Sequence, residues 1–221
     1  MISNFKFQIS NSQRGTTLVE LLVVICIIAI FVTILVSNFP EIMRQLALSR
    51  ATYKMAQDLR RTEDLALSGI NQKDMNGKLI SVKGYGIYIP AATLTSSVTK
   101  YAIYAYVDAQ DYNGGESFPL CEEQDSPTSD CVIEVIDVSN QNVNLIISSI
   151  TDLAPGGAGD MASSVNISFI PPNPTTNIKS SSCASGGKGI CSSGVGIVLG
   201  LKNGTTTRAV LVKTSGLISV E

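Results

Sequence analysis

The sequence contains no histidine and no tryptophan, and charged residues make up only 15% of its 221 positions. The lack of histidine excludes Ser-His-Asp and Cys-His nucleophilic sites and most catalytic zinc sites. Globular domains usually carry about 25% charged residues, and so low a charge content is not typical of a disordered tail or a polybasic nucleic-acid binder. A net charge of −2 also gives no field that attracts phosphate. The composition therefore disfavours an enzyme, and we expect no cofactor and no nucleic-acid partner.

Much of the hydrophobicity lies in one run near the N-terminus. Residues 21–36 contain no charge, and Thr33 is the only polar residue among them. With the uncharged residues on either side, the run reaches about 20 residues, enough to cross a bilayer as a helix. A cleavable secretory signal is disfavoured because no small-residue cleavage site follows Val36. A plain membrane anchor fits except for Glu20, an ionisable residue at the edge of the run that would need a partner there.

The residues around this carboxylate carry a family resemblance. Arg14-Gly15 is followed by Thr16, a short step of uncharged residues, Glu20 and the long apolar run. This pattern resembles the cleavage and methylation motif of type IV prepilins and the related pseudopilins, although Thr16 stands where the family usually has Phe. The resemblance implies that a prepilin peptidase cleaves between Gly15 and Thr16 and methylates the new N-terminus. It also implies assembly with copies of itself or other pilins, on a pilus or secretion platform in the inner membrane.

The resemblance gives Glu20 a role in assembly that is physically coherent. Cleavage would create an α-amine at Thr16, four residues before Glu20. In a bundle of apolar helices a buried carboxylate needs a cation, and this amine, from the same or a neighbouring subunit, is the nearest candidate. Lys6 and Arg14 precede the span, so the positive-inside rule keeps the N-terminus cytoplasmic. We therefore expect a single-pass protein of the cytoplasmic membrane that becomes part of an extracellular filament.

The sequence predicts four segments. They are a leader (1–15), a transmembrane and assembly helix (16–39), an amphipathic helix (40–69) and a β-rich extracellular domain (70–221). Pro40 predicts a kink, or a break and restart, in the long helix. After it, one modestly apolar stripe has helical spacing and should pack on a sheet, whereas the charged residues, Asp58 among them, occupy faces expected to be solvated. The members of the stripe are Leu48, Ala51 or Thr52, Met55, Leu59, Thr62 and Ala66.

Beyond Gly69, a typical helix stop, the pattern changes to strands. A long helix followed by antiparallel strands predicts an α+β fold, which agrees with the type IV pilin resemblance. The tyrosines at 101, 104 and 106 are expected to pack in the sheet. The predicted strands are 79–82, 84–89, 100–107, 132–138, 143–150, 165–170, 194–201, 207–213 and 217–220.

Four of the five cysteines follow the apolar run: Cys121, Cys131, Cys183 and Cys191. An even number in an oxidising compartment favours disulfides, and four cysteines allow three connectivities. The short loops Cys121–Cys131 and Cys183–Cys191 are favoured, because each pair brackets a polar segment. Zinc is disfavoured because neither pair has C-x-x-C spacing and there is no histidine. Cys26 lies inside the apolar run and is expected to be an inert small hydrophobic residue.

Residues 108–130 are acidic and contain no lysine or arginine. Asp108, Asp111, Asn113 and Glu116 place oxygen ligands around a Gly-Gly pair, which makes them weak calcium candidates. Their spacing is not that of an EF-hand, and a solvated surface loop is the favoured interpretation.

Three functions remain open from the sequence. The favoured one is a structural subunit of a type IV pilus or related filament. The second is a pseudopilin of a type II secretion system, an H-like minor subunit, because residues 84–89 and 208–220 are similar to the globular part of that class. The third is a membrane-anchored extracellular binding module, which would not be processed at Gly15.

Overall fold

The structure of the protein, a computed structural model, describes residues 17–90, 98–107, 120–121, 130–139, 144–153, 164–171, 175–180, 189–202 and 204–221. One long helix, α1, spans Leu18–Ser68, and eleven strands follow it within the described residues. The chain divides into two compact units, Met1–Met43 and Arg44–Glu221. The long helix and the antiparallel sheets confirm the predicted α+β, pilin-like fold.

Helix α1 continues through Pro40, so of the two predicted alternatives, a kink or a break and restart, the break and restart is wrong. A proline inside a helix removes one backbone hydrogen bond and costs about 3 kcal/mol. A break would instead leave several N–H and C=O groups unsatisfied on both sides. Continuing the helix is therefore the less costly solution. Gly69, with a φ of 61°, ends the helix at the predicted place, because this left-handed conformation is readily adopted only by glycine.

The strands form one small hairpin and two larger antiparallel sheets. The hairpin pairs β1 with β2, the four-stranded sheet has the order β11-β10-β9-β6, and the five-stranded sheet has the order β5-β4-β3-β7-β8. The bounds are β1 Gln72–Lys73, β2 Leu79–Ile80, β3 Gly84–Ile89, β4 Lys100–Tyr106, β5 Cys131–Asp137, β6 Leu145–Asp152, β7 Val165–Ile170, β8 Thr175–Ser180, β9 Gly194–Leu201, β10 Thr207–Lys213 and β11 Ile218–Val220.

Residues 98 and 99 join the two larger sheets. Ile147 of β6 donates a backbone hydrogen bond to Val98 at 2.8 Å, and Val138, which follows β5, donates one to Thr99 at 2.7 Å. The segment that leads into β4 therefore bonds to β6 on one side and to the end of β5 on the other. One hydrophobic core extends over both sheets, because residues of β3, β4, β7, β9 and β10 belong to the same buried cluster.

The predicted apolar stripe of the helix packs into this core. Leu48, Thr52, Leu59 and Thr62 are completely buried, and Met55 and Ala66 are buried with them. Burying a side chain of the size of Leu or Met contributes about 1.5–3 kcal/mol, so this face is the main attachment of the helix to the sheets.

The opposite face of the five-stranded sheet is built around Tyr104. Its ring lies across Gly86, where an added Cβ would come within 2.5 Å of ring atoms. Its hydroxyl donates a hydrogen bond to Asn166 Oδ1 on β7, so one side chain spans three strands. Tyr101 and Tyr104 are each 1% exposed, which confirms that they pack in the sheet.

Candidate processing and assembly site

Helix α1 begins with a hydrogen-bonded cap at Thr17. The side-chain oxygen of Thr17 accepts a hydrogen bond from the backbone N–H of Glu20 at 3.3 Å, and the N–H of Leu21 donates to the Thr17 carbonyl at 3.2 Å. A threonine followed three residues later by glutamate has the spacing of a capping box, which satisfies N–H groups that the first turn leaves free. Thr17 was not among the predicted site residues, although the T-x-x-E pattern before an apolar run indicates such a cap.

Glu20 lies in the first turn of α1 and is exposed. An acidic residue at a helix N-terminus interacts favourably with the positive end of the helix dipole. The predicted cleavage and methylation residues, Gly15 and Thr16, lie outside the described residues, as do the leader cations Lys6 and Arg14. Of the predicted site, the structure therefore describes Glu20, the predicted assembly residue, together with its cap, Thr17. Thr17 is the second residue after the predicted scissile bond.

The helix surface that follows Glu20 is apolar and uncovered. No large hydrophobic side chain from Leu21 to Val36 is less than 48% exposed. This helix is long and apolar enough to cross a membrane, judged by length and composition, and none of its most apolar window is buried. Contiguous exposed apolar surface of this size requires a lipid or protein partner. Thr33, the polar residue of the run, donates its hydroxyl to the Ala29 carbonyl at 2.8 Å, so this hydroxyl needs no partner outside the helix.

In the second unit, three polar contacts fix the helix on the sheets. The Tyr101 hydroxyl of β4 donates to Asp58 Oδ2 at 2.5 Å. Arg60 donates to the Ile218 carbonyl of β11 at 3.2 Å, and Arg61 forms an ion pair with Glu134 of β5 at 2.9 Å. Successive arginines thus contact the outer strand of each large sheet. Because the Arg61–Glu134 pair is about half exposed, it adds little to the attachment that the buried apolar face provides.

The burial of Asp58 contradicts the prediction that the charged residues of the helix are solvated. Asp58 is only 8% exposed, because its position faces β4 rather than solvent. A buried carboxylate needs a hydrogen-bond donor, and the Tyr101 hydroxyl supplies one. Burial raises the pKa of Tyr101 far above its usual value, and the hydrogen bond to Asp58 and the negative charges of Asp58 and Glu134 raise it further. Tyr101 therefore stays protonated and remains a donor.

Cysteines of the second unit form disulfide bonds. Cys121 and Cys131 are joined by a disulfide with a Cα–Cα distance of 4.9 Å, which is one of the two favoured pairings. Cys191 is also disulfide-bonded, and its predicted partner, Cys183, lies outside the described residues. Cys26 is a free thiol on the exposed surface of the apolar helix.

The calcium candidates Asp108, Asp111, Asn113 and Glu116 lie outside the described residues. In the part of the chain that the structure describes, no three His, Cys, Asp or Glu residues are grouped so that they could hold a metal ion.

Comparison with known proteins identifies one feature. The model of the prokaryotic N-terminal methylation motif matches residues 10–36, which contain the predicted cleavage site, the Thr17 cap, Glu20 and the apolar run. No curated protein and no solved structure matches the chain. The match coincides with the capped helix start and the uncovered apolar surface described above. The chain therefore carries the N-terminal methylation motif that is the hallmark of type IV pilins and pseudopilins.

Proposed function

We propose that the protein is a structural subunit, not an enzyme, of a type IV pilus or related filament. The observation that carries the proposal is the methylation motif at the start of a helix whose apolar surface is uncovered over residues 21–36. In this proposal a prepilin peptidase cleaves the precursor after Gly15 and methylates Thr16. The helix then leaves the membrane for a bundle formed with other subunits, where its apolar surface is again removed from water.

The position of the cap explains how processing preserves the helix. Cleavage between Gly15 and Thr16 lies outside α1 and keeps Thr17, so the hydrogen bond from Glu20 to the Thr17 hydroxyl survives. Processing also removes Lys6 and Arg14, the cations that hold the precursor's N-terminus in the cytoplasm. The mature chain therefore starts with an ordered helix and has lost a barrier to its extraction from the membrane.

Glu20 sets the register of assembly in this proposal. In a single subunit it lies near the cytoplasmic end of the span, where water and headgroups hydrate it. In a helix bundle this hydration is lost, and the charge is tolerated only beside a cation such as the amine of Thr16. A subunit docked at the wrong depth leaves both groups unpaired, at a cost of about 3–5 kcal/mol for a broken buried pair.

The proposed function also gives the chain a defined orientation across the membrane. The second unit, with its Cys121–Cys131 disulfide, lies on the outer side of the membrane before assembly and outside the cell afterwards. Disulfides persist in such oxidising compartments and are rare in the cytosol.

Gly15→Ala in cells that produce the filament tests the proposal. We expect an uncleaved precursor that stays in the membrane fraction, while the wild-type protein is found in sheared filaments by immunogold electron microscopy. Gly15→Ala protein in filaments at wild-type levels would contradict processing. A cleaved wild-type protein that never enters filaments would instead contradict the subunit role.

A further inference from the structure

We propose that the second unit contains a binding site for a small organic anion with an apolar body, such as an arylalkyl carboxylate. The site is a cavity of about 200 Å³ between helix α1 and strand β5, which we call the helix–strand cavity. This inference is independent of the proposed function, because it rests only on residues between Ala47 and Leu145.

The cavity exists because the helix presents small residues to the sheet at this level. Ala47 and Ala51, one turn apart, line it on the helix side. Neither side chain is large enough to reach β5, so a gap remains at this level. At other levels the helix rests on the sheet through Leu48 and Met55. A larger residue at Ala51 would fill this gap.

The floor of the cavity is apolar. It contains the side chains of Tyr101, Ile136 and Leu145, which are 1%, 4% and 2% exposed. The Tyr101 hydroxyl is already bonded to Asp58, so the ring is the part of this residue that remains for a ligand. A dry apolar cavity of about 150 Å³ takes up benzene, so this one has space for an aromatic ring with a short chain.

The mouth of the cavity carries two cations that have no partner among the described residues. Arg50 and Lys54, at i and i+4 on α1, line it and are exposed, and neither makes a hydrogen bond or ion pair with the described residues. The acidic residue at the mouth, Asp137, binds Ser139 rather than either cation. Its Oδ1 accepts hydrogen bonds from the Ser139 backbone N–H at 2.8 Å and from the Ser139 hydroxyl at 2.6 Å. The two cations therefore remain available to a carboxylate whose apolar body occupies the floor.

The site is tested with 3-phenylpropionate and its neutral analogue 3-phenylpropanamide. The full-length protein in detergent micelles is labelled with ¹³C at isoleucine methyl groups, and the Ile136 signal reports binding at the cavity itself. We expect saturable shifts with 3-phenylpropionate and about tenfold weaker binding of the amide. Absence of a saturable shift, or equal binding of the amide, would overturn the proposal.

Two variants and one control separate binding from stability. Arg50→Gln with Lys54→Gln retains the apolar floor, and we expect it to bind the carboxylate about tenfold more weakly. Ala51→Leu should abolish binding by filling the cavity. Lys213→Gln removes an exposed cation of β10 and should bind as the wild type does. Unchanged affinity in the Arg50→Gln, Lys54→Gln protein would show that its cations do not recognise the ligand and would overturn the proposal even if Ala51→Leu fails to fold.

Discussion

The backbone N–H of Glu20 donates a hydrogen bond to the Thr17 hydroxyl at 3.3 Å, so the residue proposed to control assembly belongs to the turn that starts the helix. The cap fixes where the helix begins and places Glu20 in its first turn. Both residues of this bond follow the predicted cleavage point at Gly15. The matched motif, residues 10–36, and the first turn of the helix therefore share Thr17 and Glu20.

Thr17→Val should loosen this first turn. Valine has a similar shape but cannot accept the N–H of Glu20, and loss of an N-cap costs about 1 kcal/mol. We expect amide hydrogen exchange at Glu20 to become about fivefold faster in the micelle-bound protein. Thr17→Ser, which keeps the hydroxyl, is the control and should exchange as the wild type does. An unchanged rate in Thr17→Val would show that the bond does not hold the turn.

Glu20→Gln and Glu20→Ala should separate assembly from folding. Both proteins should be cleaved, inserted and disulfide-bonded, because the second unit does not depend on this residue. Both should fail to enter filaments made from their own copies, since the register charge is gone. A weaker defect is expected if the protein is a rare tip or minor subunit. Incorporation of Glu20→Ala at wild-type levels, measured by quantitative immunoblotting of sheared filaments, would assign the carboxylate another role.

Tyr101→Phe should destabilise the second unit by about 1–3 kcal/mol, because Asp58 stays buried and loses its donor. Tyr53→Phe is a matched control on α1, the helix that carries Asp58, since Tyr53 is 60% exposed. Denaturant unfolding of the full-length proteins in detergent measures both. Equal stabilities for the two variants would show that the Asp58–Tyr101 bond contributes nothing.

The Tyr101→Phe variant also tests how the contribution of Tyr101 to stability depends on pH. The pKa of Tyr101 is raised in the folded protein, so below pH 10 the residue is protonated in both states and its contribution is fully present. Above pH 10 the unfolded state ionises first, and this contribution declines as pH rises toward the folded pKa. We expect the stability difference between the wild type and Tyr101→Phe to narrow above pH 10. A constant difference up to pH 11 would contradict the raised pKa.

Thiol labelling of the denatured, unreduced protein should modify Cys26 alone. Cys121, Cys131 and Cys191 are disulfide-bonded, and pairing of Cys183 with Cys191 remains the prediction from the sequence. Peptide mapping after labelling identifies the modified residues, with a fully reduced sample as the control. Label on Cys183 would refute that pairing.

The elements with strong periodicity were predictable from the sequence. Strands β3, β7, β9 and β10 have the predicted bounds, and the stripe from Leu48 to Ala66 is buried as expected. Strand β8 was missed because Ile178 is its only large apolar residue. Its pairing with β7, an interior strand of the sheet, makes it a strand, rather than its own side chains. Such tertiary stabilisation leaves no signal in a local pattern.

The candidate site was predictable to a different extent. Motif spacing made Glu20 a candidate, and the cap at Thr17 could have been found by the same means. Asp58 could not, because its charge and helical position suggest a solvated face. The burial of Asp58 is stable only because Tyr101 of β4 donates a hydrogen bond to it. A local sequence pattern does not indicate which residues of different elements come into contact.

The intact mass of the protein taken from assembled filaments tests the central proposal most directly. We predict a chain that starts at Thr16, carries one N-terminal methyl group and retains its disulfides. Mass spectrometry of the undigested protein resolves all three features at once. A filament protein that still contains residues 1–15 would contradict the account.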